Sequence, residues 1–150
     1  MTDLRTVADH LGIQAAINTY AYGLDERRWE AWDEVFTADA VIDFRPMGGR
    51  LETPAEMSGR LSAPDPAWLF AQHPVVNVVI RLDGDTATAY SDYLVETGRR
   101  SDTPGELVRV SGGGSYEDTL VRTEAGWRIS VRLVHMKWKQ TRRVHDEIAR

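Results

Sequence analysis

The stretch His73-Pro74-Val75-Val76-Asn77-Val78-Val79-Ile80-Arg81-Leu82-Asp83-Gly84-Asp85 decides the fold. Its centre is rich in β-branched residues and it ends in a tight Asp-Gly-Asp turn, which predicts a strand over about 74–82 closing into a hairpin. The rest of the chain downstream reads mostly the same way, with strands expected over about 86–97, 107–121 and 127–136. Thr123-Glu124-Ala125-Gly126 supplies another tight connection. Gly98 to Gly105 reads as a longer, mobile loop, and the basic stretch from Lys137 onward as a helical tail.

Upstream the period changes. Ile13, Ala16, Ile17, Tyr20 and Leu24 recur at three and four, one apolar face of a helix over about 3–23, with Asp3 or a Thr6/Asp9 pair at its start and Gly23 as its stop. A second helix follows, carrying Trp29, Trp32, Val35 and Phe36 on one side with Asp25 as a possible N-cap. Val41 to Phe44 reads as a strand and Met47-Gly48-Gly49-Arg50 as a hairpin loop. Thr53-Pro54-Ala55-Glu56 is a capping box with proline at the first helical position, opening a short helix that ends near Gly59 to Leu61. Ala63 to Pro66 reads as a loop. Helices followed by hairpin-linked strands predict an α+β fold, a curved antiparallel sheet wrapped around the N-terminal helices, leaving a cone with an apolar interior.

The totals bound the function. A chain of 150 residues, 42% hydrophobic and 27% charged, fits one domain over 1–150 with a sizeable core. There is no cysteine, so disulfides, thiolate metal sites and a cysteine nucleophile are excluded. The formal charge of -5 argues against general nucleic-acid binding. No apolar run approaches a membrane span and Met1-Thr2-Asp3-Leu4-Arg5 lacks a signal-peptide core, so a cytoplasmic protein without membrane attachment is expected. His10, His73, His135 and His145 have no metal-ligand spacing, and neither a metal nor a cofactor is expected. Ser111-Gly112-Gly113-Gly114-Ser115 lacks the lysine of a phosphate loop and reads as a bulge or close backbone approach. Apolar residues on the outer face of the sheet lead us to expect a homo-oligomer, dimer or trimer.

Tyr20, Asp25 and His73 can together move protons without a metal. Each has a plainer reading: His73 as a surface or capping residue, Asp25 as a helix cap, Tyr20 as packing. On the strand over 86–97, Tyr90, Asp92, Leu94 and Glu96 share one face and Ser91 and Tyr93 the other. If the acidic face lines the pocket, Asp92 is a further candidate; otherwise it faces solvent.

The pattern Tyr20-x4-Asp25, Trp29, Phe36-Thr37-Ala38-Asp39-Ala40-Val41, Gln72-His73, Asn77, Gly84-Asp85-Thr86-Ala87, Gly114-x-Tyr116-x-Asp118-x-Leu120-Val121-Arg122-Thr123 and Gly126-Trp127-Arg128-Ile129 resembles the SnoaL-like branch of the NTF2-like superfamily. That branch includes polyketide cyclases, scytalone dehydratase and bile-acid 7α-dehydratase. The resemblance implies the cone-shaped fold and catalytic positions at Tyr20, Asp25 and His73. The second histidine of scytalone dehydratase has no clear counterpart; Asp92 or Glu96 lies in that strand instead. It further implies a cofactor-independent lyase or isomerase, of dehydratase or cyclase type, acting on a small hydrophobic, hydroxylated ring compound such as a polyketide, sterol or terpenoid. A non-catalytic binder of such a ligand, or an interaction module whose sheet serves as a dimer face, would use the same fold.

Overall fold

A computed structural model describes residues 3–146. Helix α1 (Leu4–Asp25) starts at Asp3, whose carboxylate accepts from the Thr6 backbone N–H at 2.7 Å. Ile13, Ile17 and Tyr20 on its apolar stripe are fully buried. Gly23 does not end the helix. It is an interior residue at which any Cβ would stand 3.0 Å from the Trp32 backbone nitrogen, so glycine here lets helix α2 (Trp29–Glu34) press against α1. Nor does Asp25 cap α2: it is the last residue of α1, and the α2 cap position is Arg28, which makes no side-chain capping bond.

Strand β1 (Phe36–Asp43) leads through a single 3-10 turn at Arg45–Met47 to the short β2 (Leu51–Glu52), its antiparallel partner. Helix α3 (Pro54–Leu61) carries the full capping box: Thr53 Oγ1 accepts from the Glu56 N–H at 3.2 Å, and Glu56 accepts from the Thr53 N–H at 2.7 Å. Strands β3 (Trp68–Gln72), β4 (Val75–Asp83), β5 (Thr86–Arg100), β6 (Glu106–Thr123) and β7 (Gly126–His145) follow.

The sheet runs β2-β1-β7-β6-β5-β3, with β4 also on β5; every pairing is antiparallel except β1 with β7. It wraps α1, α2 and α3, as the α+β reading requires. Phe36, read as part of the second helix, opens β1 instead, and three further segments differ from the sequence expectation. The residues read as a mobile loop from Gly98 are strand as far as Arg100, because β5 has partners on both sides. Residues 68–72 form β3, which short-range patterning did not reveal. The basic tail is not helical as far as it is described: Lys137 to His145 extend β7 along β6, pairing Lys139 with Gly112 and His145 with Glu106. The rest of that tail, residues 147–150, lies outside the described residues.

Two features shape the interior. The Ser111 to Ser115 segment lies inside β6, where the register slips between Gly113 and Gly114 and a Cβ on Gly114 would overlap the His135 carbonyl oxygen. Glycine permits the contact and the sheet bends there. The second is a break in the edge. β3 and β4 pair with successive lengths of β5, Gln72 opposite Glu96 and Val75 opposite Tyr93. His73 and Pro74 fill the gap. Pro74 has no N–H for the ladder, while its carbonyl accepts from the Leu94 N–H at 3.0 Å. The edge turns at this point and His73 faces α1.

Candidate active site

His73 meets the C-terminal end of α1. Asp25 Oδ2 accepts the His73 backbone N–H at 2.6 Å and Oδ1 contacts ring Nδ1. Both carboxylate oxygens are thus committed to one residue. Each side chain is only 14% exposed, so the pair is shielded yet reachable. A carboxylate can only accept, which puts a ring proton on Nδ1; in the neutral ring the lone pair is then on Nε2. His73 stands at the junction of two chambers. The inner one, about 220 Å³, is lined by Tyr20, Tyr93, Tyr116, Val134 and Met136 among others. The outer one, about 520 Å³, lies under α3 and β3. Leu24, Met57 and His73 border both.

Tyr20 reaches the inner chamber from the α1 stripe and is almost wholly buried. Its ring packs against Trp32, Phe36 and Tyr116, with centroids 4.7, 6.0 and 5.7 Å away. Burial pushes its hydroxyl pKa above the ordinary tyrosine value, and the nearby Arg132 opposes but does not cancel that rise. Burial likewise holds Tyr116 well above that value. Both therefore stay protonated at neutral pH and act as donors. Tyr93 stacks on Tyr116 at 4.4 Å and gives its own hydroxyl proton to the His135 carbonyl at 3.1 Å.

Asp92 is on the opposite side of the sheet. Along β5 the inward residues are Ala87, Ala89, Ser91 and Tyr93, while Tyr90, Asp92 and Leu94 point out. Asp92 there accepts from Lys137 Nζ at 2.6 Å, Tyr90 Oη at 2.9 Å and Asn77 Nδ2 at 3.0 Å. Those bonds, Lys137's foremost, hold its pKa at about 2. Its carboxylate thus has no access to either chamber, because the inward register belongs to Tyr93.

Arg132 escaped the sequence reading. It lies directly across the ladder from Asp118, and the two form a fully buried bidentate pair at 2.7 and 2.7 Å. Its guanidinium lies between the rings of Tyr20 at 3.8 Å and Tyr116 at 4.2 Å. Burial alone would weaken its hold on the proton; the Asp118 charge outweighs that and raises its pKa above the ordinary value. Nη1 of Arg132 is buried without a hydrogen-bond partner. The signal was present as an inward alternation, Tyr116, Asp118, Leu120, but only the β6–β7 register shows that Arg132 answers it.

Among the described residues, no group of three or more His, Asp or Glu side chains gathers as a metal ion would need, and no helix is long and apolar enough to cross a membrane. A curved sheet wrapped around helices, with an apolar interior, defines a class, the NTF2-like cone. Residues 5–133 match the SnoaL-like domain, and the chain belongs to that family within the NTF2-like superfamily. It is 33% identical over 140 residues to the uncharacterized protein Rv2910c of Mycobacterium tuberculosis, covering 91% of this chain and 90% of that one. Among solved structures, a candidate scytalone dehydratase from Novosphingobium aromaticivorans superposes with a TM-score of 0.77 at 19% identity, covering 96% of this chain and 95% of the other. The hexachlorocyclohexane dehydrochlorinase LinA-type3 of Novosphingobium barchaimii gives 0.76 at 17% identity, covering 94% of each. At these identities the two structures establish the shared fold.

Proposed function

We propose that the protein is a cofactor-independent lyase or isomerase of dehydratase or cyclase type, acting on a small, hydroxylated, largely apolar ring compound. The observation that carries this reading is the Asp25–His73 pair: a histidine held by both carboxylate oxygens, with Nε2 left over, where two chambers meet. Its elimination relatives, a candidate scytalone dehydratase and a dehydrochlorinase, support the same class of chemistry.

In a dehydration, His73 Nε2 takes the proton from the carbon beside a carbonyl. The electron pair moves toward the carbonyl oxygen, where the Tyr20 hydroxyl donates a hydrogen bond to the developing enolate. The pair then forms the carbon–carbon double bond as the hydroxyl leaves, and the His73 imidazolium returns its proton so that water departs. Asp25 stabilises the imidazolium between the two transfers. The Arg132 cation against the Tyr20 ring makes that hydroxyl a stronger donor without ionising it. Asp92, on the outer face, takes no part.

The reading is tested by α-proton exchange. Cyclic β-hydroxyketones are incubated with the protein in D2O and followed by NMR for deuterium uptake and loss of water. Exchange or dehydration that falls at least about a hundredfold in His73→Ala, the usual size of a general acid/base contribution, is the expected result. A His73→Ala variant that folds and matches the wild-type rate removes His73 from the chemistry.

A further inference from the structure

The inner chamber is too small to be the whole binding site. It holds about 220 Å³. A dry cavity of roughly 150 Å³ takes up one benzene ring, whereas sites for larger ligands span roughly 300–1,000 Å³. The outer chamber, at about 520 Å³, is in that range by itself. Leu24, Met57 and His73 line both, so they form a waist between the two spaces. A ligand whose reacting carbon stands at His73 has one part on each side.

The two sides differ in chemistry. Apart from His73 and Lys139, the inner lining is aromatic and aliphatic. The outer lining brings together Arg27, Arg60 and Arg99 with the single carboxylate Asp65 and two tryptophans, Trp29 and Trp68. Two of the arginines are matched: Arg99 pairs with Asp65 at 2.6 Å and Arg60 with Glu52 at 2.6 Å. Arg27 is not. No carboxylate among the described residues pairs with it. Its Nη2 donates to the carbonyls of Leu61 and, at 3.1 Å, Ala63, and its guanidinium lies over the Trp68 ring at 5.1 Å. Carbonyls satisfy a donor without cancelling its charge. The hydrogen bonds use one nitrogen, so Nη1 and Nε remain for a ligand. The backbone supports this placement: Arg27 is one of two non-glycine residues with positive φ among the described residues, at 54°, a conformation uncommon for a large side chain.

We propose that the substrate is an amphiphile. A unit of one or two rings enters the inner chamber up to His73, and a portion bearing an anion, carboxylate or phosphate, stays in the outer chamber and is held by Arg27. This rests on the placement of the reacting carbon at His73 and narrows the substrate class. It concerns binding, so it can fail while the chemistry stands, and the reverse.

The test uses two fluorescent probes with the same aromatic rings: 8-anilinonaphthalene-1-sulfonate, which is anionic, and N-phenyl-1-naphthylamine, which is neutral. The wild-type chain should bind the sulfonate about tenfold more tightly at low salt, the size expected of one hydrogen bond to a charged group, with the margin shrinking as salt rises. Arg27→Met should remove most of the margin and leave the neutral probe's Kd unchanged. Because Arg27 also holds Leu61 and Ala63, Asp65→Asn is the second variant; its side-chain oxygen can still accept the Ala67 N–H, now at 3.1 Å, while its charge is gone. It should widen the margin. Equal affinity of the wild type for both probes overturns the proposal, as does a margin that a folded Arg27→Met leaves unmoved. Turnover plays no part in this readout, so loss of activity in His73→Ala with the margin intact separates the two readings.

Discussion

Helix α1 is tied to the sheet by a carboxylate near each end, and the two ties differ in their partners. Near the start, Asp9 receives the two terminal nitrogens of Arg122 and Nε1 of Trp127, the latter at 3.1 Å. At the end, Asp25 receives the ring and the backbone N–H of His73. Arg122 also lies over the Trp127 ring at 4.6 Å, and neither it nor Asp9 borders a chamber. A guanidinium does not release its proton, so the first tie is a permanent clasp at the closed end of the cone. An imidazole takes up and releases a proton readily, so the second, at the open end, is able to do chemistry. The same acid on the same helix holds structure in one place and, under the proposed function, serves a reaction in the other, because of what the sheet presents to it.

The largest effect should come from between the two ties. Asp118→Ala leaves Arg132 charged and unpaired in a fully buried site, and should cost about 3–5 kcal/mol in chemical denaturation. Replacing both partners, Asp118→Leu with Arg132→Met, should recover most of that loss. A single variant as stable as wild type would mean that water or another group reaches Arg132. Asp25→Asn breaks the open-end tie by removing charge while keeping an acceptor. Its turnover should fall at least about tenfold, yet less than in His73→Ala, with the melting temperature nearly unchanged. An equal loss of stability at both ends of α1 would erase the distinction.

Tyr20→Phe deletes one hydroxyl from the inner chamber and keeps the ring on Arg132. Turnover should drop about a hundredfold, the lower end for loss of one donor to a developing oxyanion, with the fold retained by circular dichroism. The smallest effect is in the acid limb. Arg122, foremost through its side-chain bonds, holds Asp9 at about 2 against an ordinary 3.8. A depressed carboxylate contributes stability that is full above 3.8 and lost as pH falls toward 2. Asp9→Asn should therefore lower stability at neutral pH and flatten the decline between those values, while turnover at neutral pH stays as in the wild type. An unchanged acid limb would show that Asp9 is no clasp.

Much of this molecule is determined by short-range chemistry and was legible in the chain. The Thr53–Glu56 capping box, the three-four stripe of α1 and the alternation of β5 to β7 each depend on neighbours a few residues apart, so one sequence suffices to place them. The pairing of His73 with Asp25 could be anticipated from a family resemblance, though not the role of Asp25 as the end of α1. Packing and register decided the rest. Gly23 reads as a helix stop until Trp32 is seen against it. β3 is too short and irregular to declare itself, and is strand because β5 offers a free edge. The basic tail is strand as far as His145 because β6 continues beside it. A shift of one residue moves every side chain of a strand to the opposite face, so only the ladder could send Tyr93 inward and Asp92 out, and set Arg132 across from Asp118. Residues distant in sequence share a site through the closure of the sheet, and no local propensity encodes that closure.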